Sequence, residues 1–99
     1  MAEPVTLTMP PDCTLRTAQA LRADLLAALD GASGLALDCA AIETVDVTFV
    51  QLVVAAAKSA ASRGTNLDLI NRPDAVTAAF RRAGIAPQPP FEAASVPTL

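Results

Sequence analysis

The chain has 99 residues, 53% of them hydrophobic and 17% charged, with a formal net charge of −3, which describes one small folded domain and excludes a disordered segment. Such a chain buries roughly 60–65% of its unfolded surface, too little to enclose a deep substrate chamber. Seven Lys and Arg against ten Asp and Glu argue against nucleic acid as a partner, because neutralising phosphates supplies most of that affinity; a membrane-surface role is disfavoured on the same ground.

Three Phe, no Tyr and no Trp stand beside 22 alanines, so the core must be aliphatic and thin. The lack of His removes imidazole acid–base catalysis, Cys-His and Ser-His nucleophiles and the usual zinc sites. Cys13 and Cys39 are not in CxxC spacing and read as small hydrophobes. Asp12, Asp38, Asp46 and Asp68 come from different strand ends without ligand spacing. No catalytic residue, metal or cofactor is therefore expected. The longest unbroken apolar run, Leu52 to Ala57, is far below the ~20 residues of a transmembrane helix. Met1-Ala2-Glu3-Pro4 lacks the basic and apolar regions of a signal peptide, so the expectation is a cytoplasmic protein with no direct membrane insertion.

In chain order, Val5-Thr6-Leu7-Thr8-Met9 alternates with the period of a half-buried strand, and Pro10-Pro11-Asp12 stops it. Cys13 to Arg16 reads as a short second strand. Thr17 to Asp30 carries helix spacing, with Ala18, Leu21, Leu25 and Leu29 on one stripe, and Gly31-Ala32-Ser33-Gly34 closes it. Leu35 to Cys39 is a short buried strand. From Phe49 to Arg63 a second helix turns Phe49, Leu52, Val53, Ala56, Ala57 and Ala60 inward and leaves Gln51, Lys58 and Ser62 wet.

Gly64-Thr65-Asn66 leads into a strand at Leu67 to Ile70. Asn71 is placed as the N-cap of a third helix, with Pro73 and Asp74 in its first turn. Val76, Ala79, Phe80 and Ala83 face inward from it, Arg81 and Arg82 occupy its last turn, and Gly84 with Ile85 suits a left-handed C-terminal cap. Together with Arg72, these arginines make that helix the most basic element, fit either to pair with an acidic partner or to satisfy the helix C-terminus. Ala86 to Leu99 holds four of the eight prolines and reads as an irregular tail. The domain is thus expected over 1–85 and the tail over 86–99. The pattern implies an α/β fold: one small mixed sheet of about four strands with three main helices packed against it.

The segment from Ile42 to Val53 joins a strand to a helix. Thr48 and Gln51 have the spacing of a capping box, and Val47 and Leu52 that of a hydrophobic staple, so helix initiation alone accounts for these four residues. Free N–H groups at that helix start favour an anion, whereas Asp38 and Asp46 oppose one. A covalent switch at Thr48 fits this setting better than spontaneous phosphate binding.

From about Val5 to Ile85 the order of elements resembles the STAS family, the domain of bacterial anti-sigma factor antagonists, through the segments "LALDCAAIETVD", "TFVQLVVAAAKSAASRG", "TNLDLIN" and "PDAVTAAFRRAGI". The resemblance implies a non-enzymatic regulatory module that binds another protein, with a serine-kinase anti-sigma factor as partner. In the family a Ser or Thr directly after the Asp is phosphorylated. Here Asp46 matches, Val47 stands at the acceptor position, Thr48 follows, and Phe49 replaces a Gly and so narrows access for a kinase. Either phosphoregulation is lost and binding is constitutive, or Thr48 is the phosphoacceptor; the first is favoured because Thr48 already has a role as cap. The resemblance places partner binding around this turn and on the exposed side of the helix after it, where Asp46, Val47, Thr48, Val50, Gln51 and Val54 lie; by helical spacing Val47, Val50 and Val54 either form an apolar docking stripe with Gln51 or pack on the rim of the sheet. The alternatives are a cytoplasmic accessory subunit of a lipid or solute ABC transporter and a chemosensory adaptor, both of which tolerate the loss of the acceptor.

Overall fold

The computed structural model describes residues 3–89 and 91. The elements run β1 (Pro4–Thr8), β2 (Asp12–Cys13), a single 3-10 turn (Leu15–Thr17), α1 (Ala18–Leu29), β3 (Gly34–Asp38), β4 (Thr44–Val45), α2 (Val47–Ser62), β5 (Asn66–Ile70) and α3 (Asp74–Arg82). This is the α/β architecture with three helices that the periodicity implied. Among the described residues the strands form two sheets, β1-β3-β5 and β2-β4, and every pairing is parallel, in place of the single mixed sheet of about four strands expected, because each pairing is reached through an intervening helix and none through a hairpin. The second strand ends at Cys13, not Arg16, because Thr14 turns the chain: its hydroxyl accepts from the Arg16 N–H, and Thr17 returns a bond to the Thr14 N–H.

The registers explain the layering. Val5, Leu35 and Leu67 lie side by side, and Leu7, Leu37 and Leu69 form the next row on that face. The intervening row, Thr6, Ala36 and Asp68, points the other way. Both α1 and α2 pack on the strands and on each other, which buries the Leu face from β3 and β5 while Thr6 and Asp68 remain exposed. Edge position leaves Val5 37% exposed.

Leu21, Leu25 and Leu29 are buried along α1 as its spacing demands, with Ala18 only half-buried. In α2 the buried residues are Phe49, Val50, Val53, Ala56 and Ala60. The inward face is therefore rotated toward Val50 relative to expectation, and Leu52 and Ala57 are half-buried at its edges. The Phe49 ring meets Phe80 edge-on, with centroids 6.4 Å apart. This direction corrects one expectation: the bulk of Phe49 enters the core, so it does not obstruct the surface beside Thr48.

The end of α3 follows the sequence closely. Gly84 takes φ +73°, its N–H donates to the Arg81 carbonyl, and the Ile85 N–H donates to that of Phe80; this is a Schellman cap with Ile85 folded back on the core. Its beginning does not. Pro73, not Asn71, is the N-cap residue. Asn71 adopts a left-handed φ of 54° and sends its side-chain N–H to Asp38 Oδ1 at 3.2 Å, which ties the strand end to its neighbour instead of capping the helix. Arg72 precedes α3 and donates to the Pro87 carbonyl. Ala83 is exposed, not inward.

Of the irregular tail expected over 86–99, residues 90 and 92–99 lie outside the described residues. Phe91 is 3% exposed within the hydrophobic cluster and packs on Phe80 with centroids 6.1 Å apart.

Candidate functional site

The start of α2 is organised by Asp46. Its extended backbone makes it the N-cap residue, and its Oδ1 accepts from the Thr48 N–H at 2.9 Å. Its Oδ2 accepts from the Leu15 N–H at 3.1 Å, and its own N–H donates to the Cys13 carbonyl at 3.3 Å. One residue thus caps the helix and staples the 3-10 turn to it. The capping box read from Thr48 and Gln51 is corrected accordingly. Thr48 lies inside the helix, and its backbone N–H, not its hydroxyl, takes part in the cap. Val47 becomes the first helical residue and is no staple preceding a cap. The N–H groups read as free are in part bonded by this carboxylate, so the anion that a helix start favours is already supplied by the chain.

This clamp fixes two apolar side chains in solvent. Leu15 is 73% exposed and Val47 is 54% exposed, the two highest values among the large hydrophobics of the described residues. Both neighbour Asp46, one across a hydrogen bond and one along the chain. Leu15 lies outside the stripe of α1 and was not singled out from the sequence. The only available signal was an isolated Leu between Thr14 and Arg16.

From Val47 an open groove of about 450 Å³ runs along α2, with Val50, Gln51 and Val54 in its lining and Lys58 at its far end. Ala83 and Ile85, just beyond α3, also line it. Four of the residues singled out from the sequence therefore share one groove. They play different parts there: Val50 is 2% exposed and forms the floor, Val54 is half-buried, and Gln51 is exposed. Asp46 and Thr48 are not in the lining; they set the start of the helix that makes it. Lys58 was read only as part of the wet side of α2, and Ala83 and Ile85 were not singled out as site residues because their place in the groove depends on how α3 packs against α2.

Away from the groove, Cys13 and Cys39 are free thiols, both 0% exposed. Burial, and then Asp12, push the Cys13 thiol up to about 11. Burial pushes Cys39 up to about 12, with Cys13 and Asp38 adding to the effect and Arg72 opposing it. Both are protonated at neutral pH and poor nucleophiles. Asp12 is engaged with Arg16 at 3.3 Å and with the Thr14 hydroxyl at 2.8 Å, and Asp38 accepts from the Ala40 N–H. These carboxylates organise turns. No helix among the described residues is long and apolar enough to cross a membrane.

Fold and site together define a small α/β module with a one-sided parallel sheet and an apolar groove beside its second long helix. The family model described as "Mlab, STAS domain" matches residues 2–87, and the chain belongs to the STAS domain family. STAS domains are in general non-catalytic regulatory modules that mediate protein–protein interactions. No curated protein and no solved structure matches the chain.

Proposed function

We propose that this chain is a constitutive protein-docking module of the anti-sigma factor antagonist type, acting in the cytoplasm, with a serine-kinase anti-sigma factor as partner. The observation that carries the reading is Val47. It occupies the position where the family resemblance puts a phosphorylated hydroxyl, yet it carries none, stands 54% exposed and opens onto an apolar groove. A side chain that cannot be phosphorylated, presented to solvent by a dedicated clamp, suits a contact that stays on. Occlusion is the mechanism: a kinase surface covered by this domain is unavailable to the sigma factor, and competition requires only differential affinity. Thr48 as a substitute acceptor is the lesser version; its half-buried place inside the helix and the inward turn of Phe49 leave it neither prominent nor blocked.

The same valine favours a second reading, an accessory subunit of a lipid or solute ABC transporter or a chemosensory adaptor, because neither needs a switch at that position. The test uses tagged protein and its Val47→Asp variant in parallel affinity capture from native lysate, with mass spectrometry of the captured proteins and of Thr48. Asp at the first helical position suits the helix dipole, so the variant should fold. A serine kinase lost in the variant supports the first reading, and transporter or chemosensory subunits lost in it support the second. Capture that is identical for both baits refutes docking at this groove.

A further inference from the structure

We propose that the groove takes an acidic amphipathic helix of a protein partner, laid along α2 with a carboxylate facing Lys58. The inference deepens the docking reading and rests on it. Val47, Gln51, Val54 and Lys58 are spaced so as to fall on one stripe of α2, which extends for about 16 Å at the helical rise, or about three turns. That length suits a short helix anchored by apolar residues at i, i+3 or i+4, and i+7. The α2 wall offers no open backbone edge, because its N–H and C=O groups are bonded within the helix, so a partner must be recognised through side chains. This is the helix-in-groove mode and not strand addition.

Charge selects the occupant. Lys58 is the single charged residue in the lining, and α2 contains no Asp or Glu to neutralise it. On the opposite wall Ala83 directly follows Arg81 and Arg82, both exposed in the last turn of α3. None of these three cations has an ion-pair partner among the described residues, where the one salt bridge is Arg16 with Asp12. A chain of net charge −3 therefore has a locally basic groove. At physiological salt, charges beyond about 8 Å are largely screened, so a segment docked against Lys58 responds to that cation and not to the overall negative charge. Acidic side chains flanking an apolar helix face complement this arrangement, and basic ones do not.

The test selects displayed random peptides of about 14 residues, long enough for a marginal helix, on the full-length protein. Enriched peptides are then synthesised and titrated against wild type, Lys58→Glu and Val47→Asp, with circular dichroism confirming that both variants are folded. The expected result is an excess of Asp and Glu beside helically spaced apolar residues. Affinity should fall by about tenfold or more in Lys58→Glu and should weaken as salt rises. Peptides that lose affinity in Val47→Asp, yet show no acidic excess or no response to Lys58→Glu, overturn the acidic helix and leave the docking reading standing. Peptides indifferent to both variants, or no enrichment at all, overturn both. Self-association of wild type that Val47→Asp abolishes makes a second copy the occupant and also overturns the proposal.

Discussion

Replacing Asp46 with Ala removes two hydrogen bonds of different kinds, and their sum sets the expected loss. The Thr48 N–H loses its cap acceptor at 2.9 Å, which costs about 1 kcal/mol. The Leu15 N–H loses its partner at 3.1 Å; as this bond is exposed, the ordinary net value of about 1 kcal/mol applies and not the larger one for bonds to charged groups. Asp46→Ala should therefore destabilise by about 2 kcal/mol, a fall in Tm of about 8–16 °C for a domain of this size. Asp46→Asn is the informative companion. Asn is as good a cap as Asp and retains one side-chain oxygen, so it should lose about 1 kcal/mol, through the Leu15 bond. Urea denaturation of the three proteins, followed by circular dichroism, measures both differences. An Ala variant within about 0.5 kcal/mol of wild type, which is the ordinary range for surface substitutions, or an Asn variant equal to the Ala one, would refute the assignment of Asp46 as a two-way clamp.

Thr48→Ala should cost less than about 0.5 kcal/mol, because Ala is the better helix former and the cap does not use the Thr hydroxyl; a loss of about 1 kcal/mol or more in the same urea assay would restore Thr48 as the cap. Both thiols should resist a disulfide exchange reagent at about pH 8 in the native protein and react fully in denaturant. Their native values are raised from an ordinary 9.0 to about 11 and about 12. The folded state thus keeps protons that the unfolded state releases: stability should be flat in these groups below pH 9.0 and fall as pH rises toward 11 or 12, by about 1.4 kcal/mol per pH unit for each thiol. Cys39→Ala should reduce that slope in denaturation curves taken across the alkaline range, and an unchanged slope would contradict the linkage. Phe91→Ala should destabilise by about 3 kcal/mol, as expected for a buried aromatic ring; a thermal melt superimposable on wild type would show that Phe91 is not part of the core.

What could be read from the sequence was what a short window encodes. The Leu21, Leu25 and Leu29 stripe, the buried strands around Leu37 and Leu69, and the Gly84 and Ile85 cap each state their own conformation within a few residues. β4 was missed because Thr44 and Val45 are too few to show a period; they are extended because Asp12 and Cys13 pair with them. The start of α2 was misplaced for a related reason. Thr48 with Gln51 and Asp46 with the Thr48 N–H are competing caps two residues apart, and a bond from Leu15, distant in sequence, favours the second. Asn71 looked like a cap until Asp38 supplied it with a different partner. Four residues lining the groove, Val47, Val50, Gln51 and Val54, were legible because they share one helix. Lys58 shares that helix face but reads in the sequence as an ordinary wet position, and Leu15, Ala83 and Ile85 come near the stripe only through tertiary packing.

The all-parallel pairing also constrains how the chain can fold. No hairpin exists among the described strands, so no sheet contact can form between residues close in sequence. The shortest-range pairing already joins Pro4 to Gly34, and Asp12 with Thr44 and Gly34 with Asn66 lie slightly farther apart, each pair across an intervening helix. Parallel partners this far apart require a long loop to close before any contact offsets the entropy. During synthesis β1 must wait for α1 and β3 to emerge, and the central strand stays without one of its two neighbours until Asn66–Ile70 follows. The groove, lined from both α2 and the residues after α3, is consequently among the last features to assemble, and a chain interrupted before Ile85 would present Val47 without the opposite wall.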